Sequence, residues 1–333
     1  MTGPNPAVAA VRRAVRRSIA DLRDQPHEQL ALVALSGGAD STALAAASAF
    51  EVRTGPLRVG AVVVDHGLQE DSAAVAQEAA AAARDMGLDP VRVVRVDVGG
   101  PGGPEAAARR ARYLALHDEA RRHGAVTVLL GHTRDDQAET VLLGLGRGSG
   151  ARSIAGMRPV DGLWRRPLLD VTRAQTTAAC AAQQLTVWND PHNDDAGFTR
   201  VRLRREVMPA LTDALGPGVV AALARTADRL RDDDDALSGW AERVAHDARC
   251  DDGGWSVDVL ADVPHAVRSR VMRQIALDAG VMGGSLTSEH VAAVGALVTA
   301  WHGQGPANLP GGVVAQRRCG RLYLAAVPQD GSG

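Results

Sequence analysis

The stretch 31–47, ALVALSGGADSTALAAA, decides how this chain is read. It begins as an unbroken apolar run, which suits a strand covered on both faces, and ends in alanine-rich, helix-favouring sequence. Between the two lie Ser36, Gly37, Gly38, Ala39, Asp40 and Ser41. The glycines free the backbone for a sharp turn, so main-chain N–H groups and the positive end of the following helix can face one spot where a phosphate or pyrophosphate would sit. Ser36 and Ser41 add hydroxyl donors, and Asp40 is a hard carboxylate suited to a Mg²⁺ that bridges phosphates. A plain glycine-rich turn with a serine cap would carry the same letters. The rest of the chain has to choose between them.

Outward from that turn, apolar β-branched runs recur at 30–35 (LALVAL), 58–65 (RVGAVVVD), 91–98 (VRVVRVDV) and 126–131 (VTVLLG). Helical stretches at 40–50, 71–87 and 105–123 separate them. This alternation reads as an α/β domain with a doubly wound parallel sheet, whose ligands gather outside the carboxyl ends of the strands. The second run ends in Val64-Asp65-His66-Gly67, and the fourth ends in Gly131-His132-Thr133 before Arg134-Asp135-Asp136-Gln137-Ala138-Glu139-Thr140. All three polar clusters then converge on one crevice. Asp136 and Glu139, three apart on a helix, share a face and bring two carboxylates to its mouth. Helix capping accounts for Asp135 or Asp136, but it does not account for Glu139 as well.

Further motifs follow in order. Glu105, Arg109, Arg112 and Tyr113 form a stripe on one helix, Gly146-Arg147-Gly148-Ser149-Gly150 has the composition of a lid or anion-binding turn, and Arg200, Arg202, Arg204 and Arg205 form a basic cluster. Such a cluster suits either a solvated helix surface or phosphate-backbone contacts.

Composition excludes several chemistries. The chain has 333 residues, 45% hydrophobic and 23% charged, which is ordinary globular content for about two domains. All 37 basic residues are arginines, so a Walker A lysine and Schiff-base chemistry are out unless a substrate supplies the amine. Cys180, Cys250 and Cys319 lie far apart, which argues for packing residues rather than disulfides, a zinc site or an iron–sulfur cluster. No apolar run suggests a signal peptide or membrane span, so a cytoplasmic enzyme with no membrane partner is expected.

The break Leu215-Gly216-Pro217-Gly218 divides the chain into a catalytic domain, 1–215, and a smaller accessory domain, 216–333. The latter reads as mainly helical to residue 302 and closes in a short hairpin over 313–327, turning near Cys319-Gly320. Its acidic run Asp232–Asp235 reads as a solvated helix face, Trp240, Trp255 and Trp301 as core, and Arg268, Arg270 and Arg273 as a basic patch. With aromatics at 3%, contact with nucleic acid would rest on arginine–phosphate pairs more than on base stacking.

The series SGGADS (36–41), VDHG (64–67), ExxARxxRY (105–113), GHTRDDQAET (131–140), GRGSG (146–150), RRPLL (165–169), NDPHN (189–193) and RVRLRREVMPAL (200–211) resembles the tRNA(Ile)-lysidine synthetase family of PP-loop ATP pyrophosphatases. The resemblance covers about 30–211. It implies ligation of free L-lysine to C2 of the wobble cytidine of tRNA(Ile) with a CAU anticodon, in two steps. The cytosine C2 oxygen attacks the α-phosphate of ATP and releases pyrophosphate, then the lysine ε-amine displaces AMP. It implies nucleotide binding by Ser36, Gly37, Gly38, Ala39, Asp40, Ser41, His66, Gly131 and His132, and Mg²⁺ held by Asp40 and Asp136. Catalytic roles fall to Asp136, Glu139, Arg112 and Arg204, the first three also matching the groups that hold lysine.

Relatives of this kind are often dimeric, so the resemblance also raises a homodimer. There are departures: Thr133 stands where the family commonly has a second histidine, Val201 where it has asparagine, and Arg205 where it has histidine. Set beside longer relatives, the resemblance implies that their further C-terminal domain is absent after the hairpin, so 219–327 is expected to do more of the tRNA binding. Rival readings fit less well. A thiolase needs a nucleophilic cysteine or a cluster, and none of the three cysteines sits by the site motifs; a glutamine-dependent synthetase needs a glutaminase with a catalytic cysteine, which the sequence does not offer. An ammonia-dependent NAD synthetase leaves the 146–205 motifs and the second domain unexplained, and a nucleotide sensor has no need of Asp40, Asp136 and Glu139 together.

Overall fold

Strand β1 (Gln29–Leu35) lies inside a six-stranded sheet of order β3-β2-β1-β4-β6-β5. The computed structural model describes residues 3, 5–67, 71–99, 103–148, 150–188 and 199–326. Ser149, the NDPHN motif and the last residue of the expected hairpin fall outside these. In chain order the first unit runs α1 (Pro6–Ser18), α2 (Ala20–Arg23), β1, α3 (Ala39–Glu51), β2 (Leu57–Asp65), α4 (Ser72–Asp85), β3 (Val91–Arg95), α5 (Pro104–His123) and β4 (Thr127–Leu129). It continues with α6 (Arg134–Gly146), α7 (Ala151–Ile154), β5 (Val160–Asp161), β6 (Trp164–Arg165), α8 (Arg173–Ala182), α9 (Thr199–Arg202), a π-helical turn (Leu203–Val207) and α10 (Met208–Leu215). Strands β3, β2, β1, β4 and β6 are parallel neighbours, and only the edge strand β5 runs antiparallel.

The apolar runs are continuous because both sheet faces are covered. Ala31, Val33, Leu35, Val59 and Val63 pack into one core with α1, α3, α4 and α8, while Leu32, Val62, Val128 and Leu130 pack with Leu116 and Ala120 of α5. The sheet is therefore doubly covered, as the sequence predicts. The β5–β6 pair and the N-terminal helices were not anticipated. Two-residue strands carry too little pattern to register, and α1 reads in sequence only as an arginine-rich segment.

Residues 1–228 and 229–333 form two compact units, with the boundary inside the helix α11 (Val219–Asp247). The second unit holds β7 (Trp255–Ser256), α12 (Val257–Ala261), α13 (His265–Asp278), α14 (Ser288–Thr299), β8 (Ala307–Leu309), β9 (Val313–Arg318) and β10 (Arg321–Ala326). The expected hairpin is real, but it is the middle of a four-stranded antiparallel sheet of order β7-β10-β9-β8. Several surface expectations here need correction. α11 is continuous through the acidic run, and Asp234 is buried in a 2.6 Å ion pair with Arg270. Arg268 donates to the carbonyls of Ala261 and Val263, and Arg273 to those of Leu286 and Gly283, so the supposed basic patch ties its own unit together. Trp255 is core, whereas Trp240 and Trp301 are 40% and 39% exposed. Among the described residues no single helix is long and apolar enough to cross a membrane.

Candidate active site

Gly37 has φ +81°, a conformation open to glycine at little cost, and its carbonyl accepts from Trp188 N–H at 3.0 Å and Thr42 Oγ1 at 3.2 Å. Ser41 Oγ accepts from Ser36 N–H at 3.1 Å, donates to Gly38 O at 3.0 Å and meets Ser36 Oγ at 3.1 Å. The serines thus brace the turn as well as lining it. Gly38 caps α3 through its backbone, so no side chain takes the N–H groups of the first turn. Gly131, after β4, serves a close approach. A Cβ there would stand 3.1 Å from Ser41 N and Cα, so a side chain would push the β4 loop away from the start of α3.

That approach brings the acidic residues of α6 to the turn. Asp136 closes a capping box: its Oδ2 accepts from Thr133 N–H at 2.7 Å and Thr133 Oγ1 at 2.8 Å. Thr133 is fully buried, so its hydroxyl fixes the carboxylate from beneath. One turn on, Glu139 is 1% exposed and accepts from Arg204 Nε at 3.0 Å. Arg204, carried on the π-helical turn, also lies 3.7 Å from Asp136 Oδ1.

The residue that joins these groups is Arg173, which sequence reasoning missed. Its guanidinium lies 2.8 Å from Asp136 Oδ1, 3.5 Å from Glu139 Oε1 and 3.6 Å from Asp40 Oδ2, and its main-chain N–H donates to Asp135 Oδ2 at 2.9 Å. The signal was present as Thr172-x-x-Gln175, a capping box that starts α8 and puts Arg173 in its first turn. Thr176, one turn further and fully buried, donates through Oγ1 to Asp40. Burial and the neighbouring Asp136 push the Asp40 carboxyl up to about 6, against the Thr176 hydrogen bond. Burial works in the same direction on Asp136, but Arg173 and the Thr133 hydrogen bonds outweigh it and hold that carboxyl below the usual range. Asp40, Asp136 and Glu139 therefore meet at one guanidinium, as expected of a single crevice.

Arg112 belongs to a different group. It lies half-buried on α5 with Arg109 beside Tyr113, whose ring packs edge-on against Trp164 at 4.7 Å. Burial and the nearby Arg109 and Arg200 lower its pKa. His132 faces this cationic side. Burial, reinforced by Arg112, Arg166 and Arg109, pushes its imidazole down to about 3, so it is neutral at pH 7, and its Nδ1 has no hydrogen-bond partner among the described residues. His66 lies at the end of β2, where Asp65 accepts from Gly67 N–H at 2.9 Å and pairs with Arg95 at 3.5 Å. Glu105 has no described side chain.

Cys180 corrects the expectation that all three cysteines lie away from the site. Its Sγ is 3.3 Å from Ala39 O, directly behind the turn. Burial and Asp40 push the thiol up to about 11, so it packs without acting as a thiolate nucleophile. Cys250 is half-buried and Cys319 exposed, both in the second unit.

With this geometry in hand, comparison with known proteins is specific. A PP-loop domain model matches residues 11–211, and a TilS substrate binding domain model matches 256–323. The tRNA(Ile)-lysidine synthases of Streptomyces coelicolor and Thermobifida fusca are each 52% identical to this chain, over 97% and 98% of it and 99% and 100% of their own lengths. The fold is also that of a U34-tRNA thiolase from Methanococcus maripaludis, at TM-score 0.57 and 16% identity over 67% of this chain and 79% of that one. Matched along nearly its whole length, with an acidic pair beside its phosphate turn, the chain belongs to the tRNA(Ile)-lysidine synthase family.

Proposed function

We propose that this chain is the ATP-dependent ligase that forms lysidine on tRNA(Ile), joining free lysine to C2 of the wobble cytidine in the CAU anticodon. The observation that carries the reading is the meeting of Asp40 from the phosphate turn with Asp136 and Glu139 at Arg173. A nucleotide-activating element and a site for a cationic amine then serve one reacting carbon. The N–H groups at the start of α3 hold the phosphates while the cytosine C2 oxygen attacks the α-phosphorus and pyrophosphate leaves. Asp136 and Glu139 draw in the lysine ammonium. Once deprotonated, its amine attacks C2, AMP departs with the C2 oxygen, and a carbon–nitrogen bond replaces the carbon–oxygen bond.

Asp40 and Asp136 fit Mg²⁺, which takes one or two carboxylates and completes its shell with phosphate and water. Both carboxylates reach the same guanidinium, Arg173, at 3.6 and 2.8 Å, so they already converge on a cation position. A cation held there would neutralise charge on the departing pyrophosphate. Arg112, Arg109 and Arg200 form a cationic wall suited to the adenylated intermediate and the tRNA backbone. The neutral His132 offers that wall a hydrogen bond without adding charge.

The test is direct. Incubated with labelled lysine, ATP, Mg²⁺ and a tRNA(Ile)(CAU) transcript, the protein should label the RNA. Asp136→Ala should abolish incorporation while the circular dichroism spectrum is retained. Full incorporation by that variant would remove the carboxylate from the mechanism.

A further inference from the structure

Asp136 has two carboxylate oxygens, and the fold has committed one of them. Oδ2 is held twice by Thr133, through N–H at 2.7 Å and Oγ1 at 2.8 Å, which leaves Oδ1 as the oxygen able to receive a new donor. Arg173 covers Oδ1 at 2.8 Å, with Arg204 behind it at 3.7 Å. Glu139 is in the same position, reached by Arg204 at 3.0 Å and by Arg173 at 3.5 Å. A substrate ammonium therefore meets two carboxylates that already have cations.

The two guanidiniums are not equally fixed. Arg204 makes its shorter contacts to Glu139, the deeper carboxylate, through both Nε and a terminal nitrogen. Arg173 spreads its contacts over three carboxylates, with only the Asp136 contact below 3.5 Å. Its backbone is anchored by the α8 cap and by Asp135, so its side chain can move while the helix stays in place. It also has somewhere to go, since Asp40 Oδ2 lies 3.6 Å from its Nε.

We infer that Arg173 is a displaceable placeholder for the lysine substrate: it holds Asp136 and Glu139 in the binding geometry while the site is empty and gives up Asp136 Oδ1 to the incoming ammonium. The inference rests on the reading that lysine is captured by Asp136 and Glu139. It assigns Arg173 as a positioning residue that makes no bond to the reacting atoms. It also gives the site a specific energetics. Every lysine bound must displace a cation already present, so part of the attraction of the acidic pair is spent on moving Arg173 rather than on affinity.

The experiment is a calorimetric lysine titration of the full-length wild type, Arg173→Gln and Asp136→Asn, with melting temperatures alongside. Arg173→Gln should bind lysine at least about threefold more tightly than wild type while melting at a lower temperature, because the buried carboxylates lose their resident cation. Asp136→Asn should bind it at least about tenfold more weakly. Unchanged binding by Asp136→Asn sinks the lysine site itself, and this inference with it. Weakened binding by Asp136→Asn together with unchanged or weaker binding by Arg173→Gln overturns the placeholder alone. A readout on the unmutated protein covers a poorly folding variant: in ¹⁵N-arginine-labelled enzyme the Arg173 Nε–H signal should shift on adding lysine. An Arg173 signal that stays still contradicts the displacement.

Discussion

At the scale of single residues, the site is a contest between burial and pairing. His132 has a folded pKa of about 3, well below the ~6.5 of an unfolded chain, because burial and Arg112, Arg166 and Arg109 oppose its protonation and Asp136 only partly compensates. Below pH ~6.5 the unfolded chain takes up a proton at this position that the folded one refuses, so stability is lost as pH falls toward 3. Asp40 has the opposite sign. Its folded value of about 6 lies above the unfolded ~3.9, so the folded state gains protons, and relative stability, as pH falls through 6. Between about pH 4 and 6 the two slopes cancel. In His132→Asn only the Asp40 slope remains of the pair. Its unfolding free energy relative to wild type should therefore improve by ~1.4 kcal/mol per pH unit below 6.5, measured by urea melts. A difference independent of pH would contradict the buried neutral imidazole.

Residue chemistry was legible where a motif states it. The turn residues, Asp136 and Glu139 were named from letters and spacing. Arg173 was not, because its role depends on where α8 starts relative to α6, a contact across 37 residues of chain. By the family resemblance Thr133 reads as a loss, a hydroxyl at a position where an imidazole is expected. Its function as the cap that orients Asp136 shows only once both partners are placed.

At the scale of elements, continuous apolar runs predicted the central strands because strands covered on both faces must be apolar along their whole length. Short pieces escaped for the converse reason. β5, β6, β7 and β8 are two or three residues long and owe their existence to neighbours rather than to their own pattern. The acidic run of α11 misled because composition does not say which of several aspartates turns inward. Asp234 does, and it pairs with Arg270 of α13. Asp234→Ala leaves a largely buried guanidinium without its partner and should cost about 3 kcal/mol. Asp232→Ala, at an exposed position on the same run, should stay within about 0.5 kcal/mol. Thermal melts of the two variants check this, and equal losses would return the run to a solvated face.

At the scale of the whole molecule, the chain has to bring together ATP, an amino acid and a tRNA. Its net charge of -2 gives no global attraction for RNA, so binding must come from local arginines. The arginines of α13 are engaged within their own unit, and the surface proposed for RNA is the cationic wall around Arg112 and Arg200. Phosphate contacts release counterions, so affinity for the transcript should fall by at least tenfold between 50 and 200 mM salt in filter-binding assays. A flat dependence would contradict arginine-led recognition.

The central claim is that one sheet edge activates the tRNA with ATP and then hands it to lysine. The most direct measurement uses ATP labelled at the α-phosphate with the protein and tRNA(Ile)(CAU), first without lysine and then with it. The account predicts label on the RNA in the first stage and its release as AMP, one per lysine joined, in the second. RNA that never carries the α-phosphate, or ATP cleaved to ADP, would contradict it.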